Sequence, residues 1–317
     1  MDKRNAMRKQ SMLRLKLALA AALGLTAMSA SFDAQSDTPR PVTPAGSGFA
    51  GVYGQLPPDQ AEFISTSDAI KSAAANGAPS LVWEVLEHGE KVECLDCVYA
   101  VAPLLYDPSD RTREIAAWWL RRRMLGVFGP GQVYAQTIQT LQSDPSAQRR
   151  AYAAYAVGEF LAQPGILACA TALSTDADAG VRAAAASALG RLNSDGQGAL
   201  GAALGDSDSG VKLAALKSAT LINSFSGIAD VAALTTDPNV AVRRRAIEVM
   251  DTLNATDAVL AVVAAAQNDT DAGVRAEACH ALGTFGDSSA IPVLEQLASS
   301  DPDTFVRDEA QIALQRL

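Results

Sequence analysis

From about residue 94 to residue 317, one pattern of apolar and polar positions recurs along the chain. Aligned on a basic residue, the copies sit at Arg113, Arg150, Arg182, Lys212, Arg243, Arg275 and Arg307, spaced 37, 32, 30, 31, 32 and 32 residues apart. Six residues before each stands an Asp: Asp107, Asp144, Asp176, Asp206, Asp237, Asp269 and Asp301. Four residues before it stand Ser109, Ser146, Asp178, Asp208, Asn239, Asp271 and Asp303. Each of these can accept the free N–H groups of a helix's first turn. Three residues after the basic position there is always Ala: Ala116, Ala153, Ala185, Ala215, Ala246, Ala278 and Ala310. Seven after it come Leu120, Val157, Leu189, Ala219, Met250, Leu282 and Leu314. Ten after it come Phe160, Leu192, Ile222, Leu253, Phe285 and Leu317, with Arg123 the exception. Offsets of 3, 7 and 10 fall on one helical face. Each copy therefore predicts a helix that starts after a small polar residue and buries an alanine-centred stripe. Gly158, Gly190 and Gly283 predict left-handed C-terminal caps in three copies.

Shorter apolar stretches lie between these helices, among them "GQGALGAAL" (196–204), "DAVLAVVAAA" (257–266) and "SAIPVLEQLA" (289–298). Each unit is thus a helical hairpin joined by an Asp-containing turn. A hairpin of about thirty residues cannot bury its apolar face alone, whereas stacked neighbours can. The chain is 49% hydrophobic but only 5% aromatic, so the core must be built from Ala, Leu and Val in closely packed helices. The expectation is an all-α fold: a right-handed α–α solenoid of about seven hairpins over 94–317. Two more helices, near 67–76 with Ser67 as N-cap and near 79–88, are expected to cap its N-terminal end within 67–93.

The recurring D-x-[DNS]-x-x-V-R core resembles the HEAT repeat family, particularly the short repeats of phycobilisome-lyase-like proteins. Arg113 and Arg150 depart from it, following Thr112 and Arg149 where the motif has Val. The resemblance implies an armadillo-like superhelix whose second helices line a groove for a partner protein. It also implies a structural ladder between neighbouring units, from Asp144 and Arg150 through Asp176, Arg182, Asp206, Lys212, Asp237, Arg243, Asp269, Arg275, Asp301 and Arg307. Two enzymatic relatives are weighed against it. Deoxyhypusine hydroxylases hold iron through His-Glu pairs, but here His88 precedes Gly89 and His280 precedes Ala281. A phycobilin-lyase activity fits poorly with the export signal described next.

Residues 1–30 carry six basic residues and one acid, then the apolar run "LALAAALGLTAM" (17–28) and small residues. This is the pattern of a secretory signal peptide, too short to span a bilayer comfortably. Cleavage would leave no membrane span and would place the protein in the periplasm or elsewhere outside the cytoplasm. Residues 31–66 are rich in Pro and Gly and predict a flexible tether. Beyond residue 30, 20 basic residues face 34 acidic ones, a net charge near −14, which disfavours nucleic acid as a partner.

Cys94-x-x-Cys97 lacks the following His that haem attachment needs, since position 98 is Val. A local disulfide, passive thiols, a redox pair in envelope or cofactor assembly, and a metal site all remain open for it. No catalytic constellation stands out and no cofactor is expected. The binding surface is expected where "REIAAWWLRRRMLGVFGPGQVY" (113–134) concentrates Trp and Arg. Trp118, Arg122, Tyr152 and Tyr155 are the candidate partner-binding residues, aromatic and Arg side chains being frequent at binding hot spots. The competing reading is that Trp118 and Trp119 fill the junction between cap and array. The runs 121–123 and 243–245, each three arginines, read as solvated faces or Asp partners.

Overall fold

The computed structural model describes residues 66–129 and 131–317. The expected leader, and all of the expected tether except Thr66, lie outside the described residues. Every helix in the described residues belongs to one of eight consecutive hairpins, and there is no strand among them. The first hairpin is α1 (Ser67–Asn76) and α2 (Pro79–His88). The second is α3 (Leu95–Val101), continued by a 3-10 turn (Ala102–Tyr106), and α4 (Asp110–Gly126). Then come α5 (Gly131–Ser143) with α6 (Ala147–Phe160), α7 (Gly165–Thr175) with α8 (Ala179–Arg191), and α9 (Ala199–Ala203) with α10 (Ser209–Ala219). The last three pair α11 (Ile228–Ala233) with α12 (Val240–Thr252), α13 (Val259–Asn268) with α14 (Ala272–Phe285), and α15 (Ile291–Ser300) with α16 (Thr304–Leu314).

The second helices form an unbroken series of neighbours, from α2 on α4 through to α14 on α16. The hairpin α1–α2 extends that series, with α1 against α3 and α2 against α4, so the array's N-terminal end is covered by another hairpin of the same kind. The stripe that the sequence predicts is the core. All seven register alanines have no exposed surface. Leu120, Val157, Leu189, Met250 and Leu282 are fully buried one turn further on. All seven predicted N-caps accept a first-turn amide through their side chains. At α1 the cap is Thr66, whose hydroxyl accepts the Ala69 N–H at 3.1 Å, and not Ser67, which already lies inside the helix.

The three glycines have a different role from the one expected. Gly158, Gly190 and Gly283 lie inside α6, α8 and α14, not beyond their ends. A Cβ on Gly158 would lie 2.8 Å from the Ala188 Cα, and one on Gly283 2.8 Å from the Ala313 Cα. On Gly190 it would meet Ser218 Cβ at 2.7 Å. These glycines let successive second helices touch backbone to side-chain root. The left-handed positions past α6 and α14 are Leu161 (φ 53°) and Gly286 (φ 69°).

Arg123, the exception in the stripe, is 2% exposed. Where other units place Leu, Ile or Phe, its guanidinium donates to the carbonyls of Gly89 and Glu90, and to Val92 O at 3.3 Å. It also lies over the Trp119 ring, 4.0 Å from the centroid. An arginine here ties down the turn that leaves α2, so this member of the 121–123 run is not a solvated residue.

Candidate functional site

The turn inside each hairpin carries the register Asp, and from Arg150 to Arg275 the basic residue in the first turn of the second helix reaches the Asp of the next hairpin. Arg150 Nε and Nη2 meet Asp176 at 2.7 and 2.8 Å. Arg182 meets Asp206, Arg243 meets Asp269 and Arg275 meets Asp301, each through two bonds of 2.6–2.9 Å. Lys212 makes a single contact with Asp237, at 2.5 Å. The four arginines also donate through Nη1 to the carbonyl of their own turn Asp, at 2.8–3.0 Å. Each receiving Asp in turn accepts the N–H two residues ahead, which sets the turn before the next N-cap. The pairs are mostly buried, so solvent screens them less than a surface ion pair.

Hydrogen bonds from Arg150, Arg182 and Arg275 hold the carboxyls of Asp176, Asp206 and Asp301 below the usual carboxylate range. At Asp237 and Asp269 burial pushes the other way. There the bonds from Lys212 and Arg243, with the turn amides, outweigh it.

The expected ladder differs at its two ends. Asp144 is not met from the preceding unit, because Arg113 turns to Asp110 and lies 3.8 Å from the Tyr152 ring centroid. Asp144 takes Arg149 of its own hairpin instead, at 2.9 Å. Arg307 donates to the Asp301 carbonyl at 2.6 Å, the half of a rung that lies within its own unit.

The four proposed partner-binding residues sit on two adjacent second helices, Trp118 and Arg122 on α4, Tyr152 and Tyr155 on α6. Trp118, Tyr152 and Tyr155 are half-buried and Arg122 is exposed. Trp119 faces the opposite way: it is fully buried and its Nε1 donates to Gly89 O at 3.0 Å. Trp119 fills the junction, and Trp118 is half-buried, packed against the same core cluster with part of its ring exposed. Ile115, on the same register face as Tyr152, is only 4% exposed. Arg122 pairs with Glu90 beyond α2 and not with the tyrosines. The arginines that do reach the tyrosine rings are Arg113, over Tyr152, and Arg191, 5.3 Å from the Tyr155 centroid. Arg191 also pairs with Glu159 across α6 and α8. Burial, with Glu159 nearby, pushes the Tyr155 hydroxyl up to about 12. Arg113 carries the register itself, and Arg191, nine residues after Arg182, holds the place on α8 that Arg122 holds on α4.

Further along, the same face is small and then ionic. Ala183, Ala184 and Ser187 on α8 give way to Arg244, Arg245 and Glu248 on α12, then Glu277 and His280 on α14. Arg244 meets Glu248 and Glu277, both at 3.3 Å. His280 lies 3.7 Å from Glu309 and 4.0 Å from Asp251.

Cys94 and Cys97 form a disulfide. Cys169 and Cys279 are free and fully buried, and burial pushes both thiols up to about 12. Among the described residues no group of three or more His, Cys, Asp or Glu side chains is placed to hold a metal. None of the described helices is long and apolar enough to cross a membrane.

Hairpins stacked in series, with second helices forming one continuous face and charged turns stitched together, define an α-solenoid. The chain belongs to the HEAT repeat family, whose model, described as HEAT repeats, matches residues 134–220 and 228–315. Among solved structures it is similar to YibA of Escherichia coli, with 20% identity, a TM-score of 0.53, and coverage of 86% of this chain and 100% of YibA. It is also similar to Kap95p in a complex with RanGDP, with 14% identity, a TM-score of 0.58, and coverage of 79% of this chain but only 38% of Kap95p. A weaker likeness is to the CpcE–CpcF phycocyanin lyase complex of Nostoc sp. PCC7120, with 18% identity, a TM-score of 0.39, and coverage of 69% and 94%. A search of curated proteins finds no match.

Proposed function

We propose that this protein is an exported scaffold that binds a partner protein non-covalently through the face of its second helices. The observation that carries the reading is the placement of Trp118, Tyr152 and Tyr155. In a chain with 5% aromatic residues, three rings stay partly exposed on the neighbouring helices α4 and α6. Arg113 and Arg191 stack on two of them, which gives the patch the aromatic–arginine chemistry common at binding hot spots. Export rests on the leader pattern of residues 1–30, and an oxidising compartment would suit the Cys94–Cys97 disulfide.

A photo-cross-linking amino acid at Tyr155 tests the face, with the same group at Leu260 as control, since Leu260 is 80% exposed on the first helix α13. A discrete cross-linked species from position 155, lost when Trp118→Ala and Tyr152→Ala are added, is the expected result. The same species from position 260, or no effect of the substitutions, would sink the assignment of this face. Fractionation of cells tests export separately.

A further inference from the structure

Beyond the scaffold reading, we propose that Cys94–Cys97 is a thiol–disulfide exchange site that oxidises the dithiol of a polypeptide. The bond joins residues three apart. It therefore closes a very short loop and restricts the unfolded chain little, which leaves a weak case for a purely structural staple. The two sulfurs are unequal. Cys94 is partly exposed, whereas Cys97 has no exposed surface. An incoming thiolate can thus reach only Cys94.

Both redox states have partners in place. Cys94 Sγ accepts the Cys97 N–H at 3.1 Å, a bond that favours the thiolate over the thiol. Cys97 Sγ lies 3.5 Å from the Ser67 carbonyl, so the reduced Cys97 thiol has an acceptor for its proton. In the first step a substrate thiolate attacks Cys94 Sγ. The Cys94–Cys97 bond breaks, a mixed disulfide forms at Cys94, and Cys97 leaves as a thiolate that takes up one proton. In the second step the other substrate thiol attacks the substrate sulfur of the mixed disulfide, and Cys94 leaves. Two electrons and two protons pass from the substrate dithiol to Cys94 and Cys97.

The surroundings favour a polypeptide over a small free thiol. Leu95 and Tyr99, one helical turn apart on α3, are 50% and 49% exposed beside the disulfide. Tyr99 also forms the rim of a cleft of about 560 Å³ whose lining includes Pro103, Tyr106, Gln136 and Gln139. Apolar side chains with interspersed amides suit an extended peptide backbone.

The test uses the purified full-length oxidised protein. After reduction by dithiothreitol under native conditions, iodoacetamide should label Cys94 about tenfold or more faster than Cys97, as read by peptide mass. A probe peptide bearing two cysteines in a leucine-rich sequence should reduce the pair faster than reduced glutathione at equal thiol concentration. Leu95→Ser with Tyr99→Ser should remove that advantage and leave the dithiothreitol rate unchanged. Cys97→Ser incubated with the oxidised peptide should accumulate a mixed disulfide at Cys94. A pair that resists millimolar dithiothreitol in the native protein, equal labelling of the two cysteines, or loss of helicity on reduction overturns the exchange site. A peptide rate no faster than that of glutathione overturns the polypeptide assignment.

Discussion

Lys212→Arg should stabilise the protein, because Lys212 joins two neighbouring units through one bond where the arginine rungs use two. The four arginine rungs each place two N–H groups on the next Asp and one on their own turn carbonyl. Lys212 makes a single bond, to Asp237 Oδ2. The slot is equivalent, since the side chains of Lys212 and Arg182 are both 15% exposed. The substitution should therefore add one bond to the Asp237 carboxylate and one to the Asp206 carbonyl. Net values of about 0.5–1 kcal/mol for each of the two added bonds give about 1–2 kcal/mol in total. For a chain of this size that corresponds to roughly 2–8 °C in Tm. Urea unfolding followed by circular dichroism measures it, alongside the reciprocal Arg182→Lys, which should lose a similar amount. If both substitutions leave the midpoint where it is, the rungs add nothing net and the stacking energy lies wholly in the alanine stripe. A loss on Lys212→Arg would show that the slot does not admit a guanidinium.

The same carboxylates set an acid limit. Their folded pKa values lie below the unfolded value of about 3.9, so their contribution is present above that pH and fades as pH falls through the folded values. Unfolding midpoints measured from pH 6 down to about pH 2 should fall steeply at the acid end, and less steeply in Asp206→Asn/Arg182→Met. Arg123→Leu should destabilise the protein by about 3 kcal/mol, because the Glu90 and Val92 carbonyls lose the guanidinium while Gly89 O keeps Trp119 Nε1; a neutral result in chemical denaturation would contradict the capping role. Gly158→Ala should cost about 1–3 kcal/mol despite the better helix propensity, since its Cβ would press on the Ala188 backbone. Gly126→Ala, with nothing within 4 Å, should be neutral or stabilising in the same assay. Native alkylation should leave Cys169 and Cys279 unlabelled until denaturant is added, as read by intact mass.

The repeat made most of the fold legible in advance. A period near 32 residues, seven small polar caps and an invariant alanine can be read from one chain because each is local to a helix. Helix junctions could not be read in the same way. Gly158 near a helix end signals a cap by local rules, and only the neighbouring helix shows that the missing Cβ makes room for Ala188. Arg123 looked like one of three surface arginines because its acceptors lie more than thirty residues away in sequence. On the second-helix face, composition located the aromatic patch but not its cationic partners. Arg122 shares a helix face with Trp118 but pairs with Glu90, whereas Arg113 and Arg191 come to the tyrosines from other hairpins.

The joints between second helices are not all alike, and that bears on how the array yields to force. At α6–α8, α8–α10 and α14–α16 a glycine brings one backbone hard against the next. The same register position at α10–α12 and α12–α14 is Thr220 and Asp251, and Asp251 Oδ1 is buried with no hydrogen-bond partner. The position at α4–α6 is Arg121, so strain placed on the array would be taken up at the joints without glycine, between the stiffer blocks α6–α8–α10 and α14–α16. The width of the second-helix face would then be set at those joints.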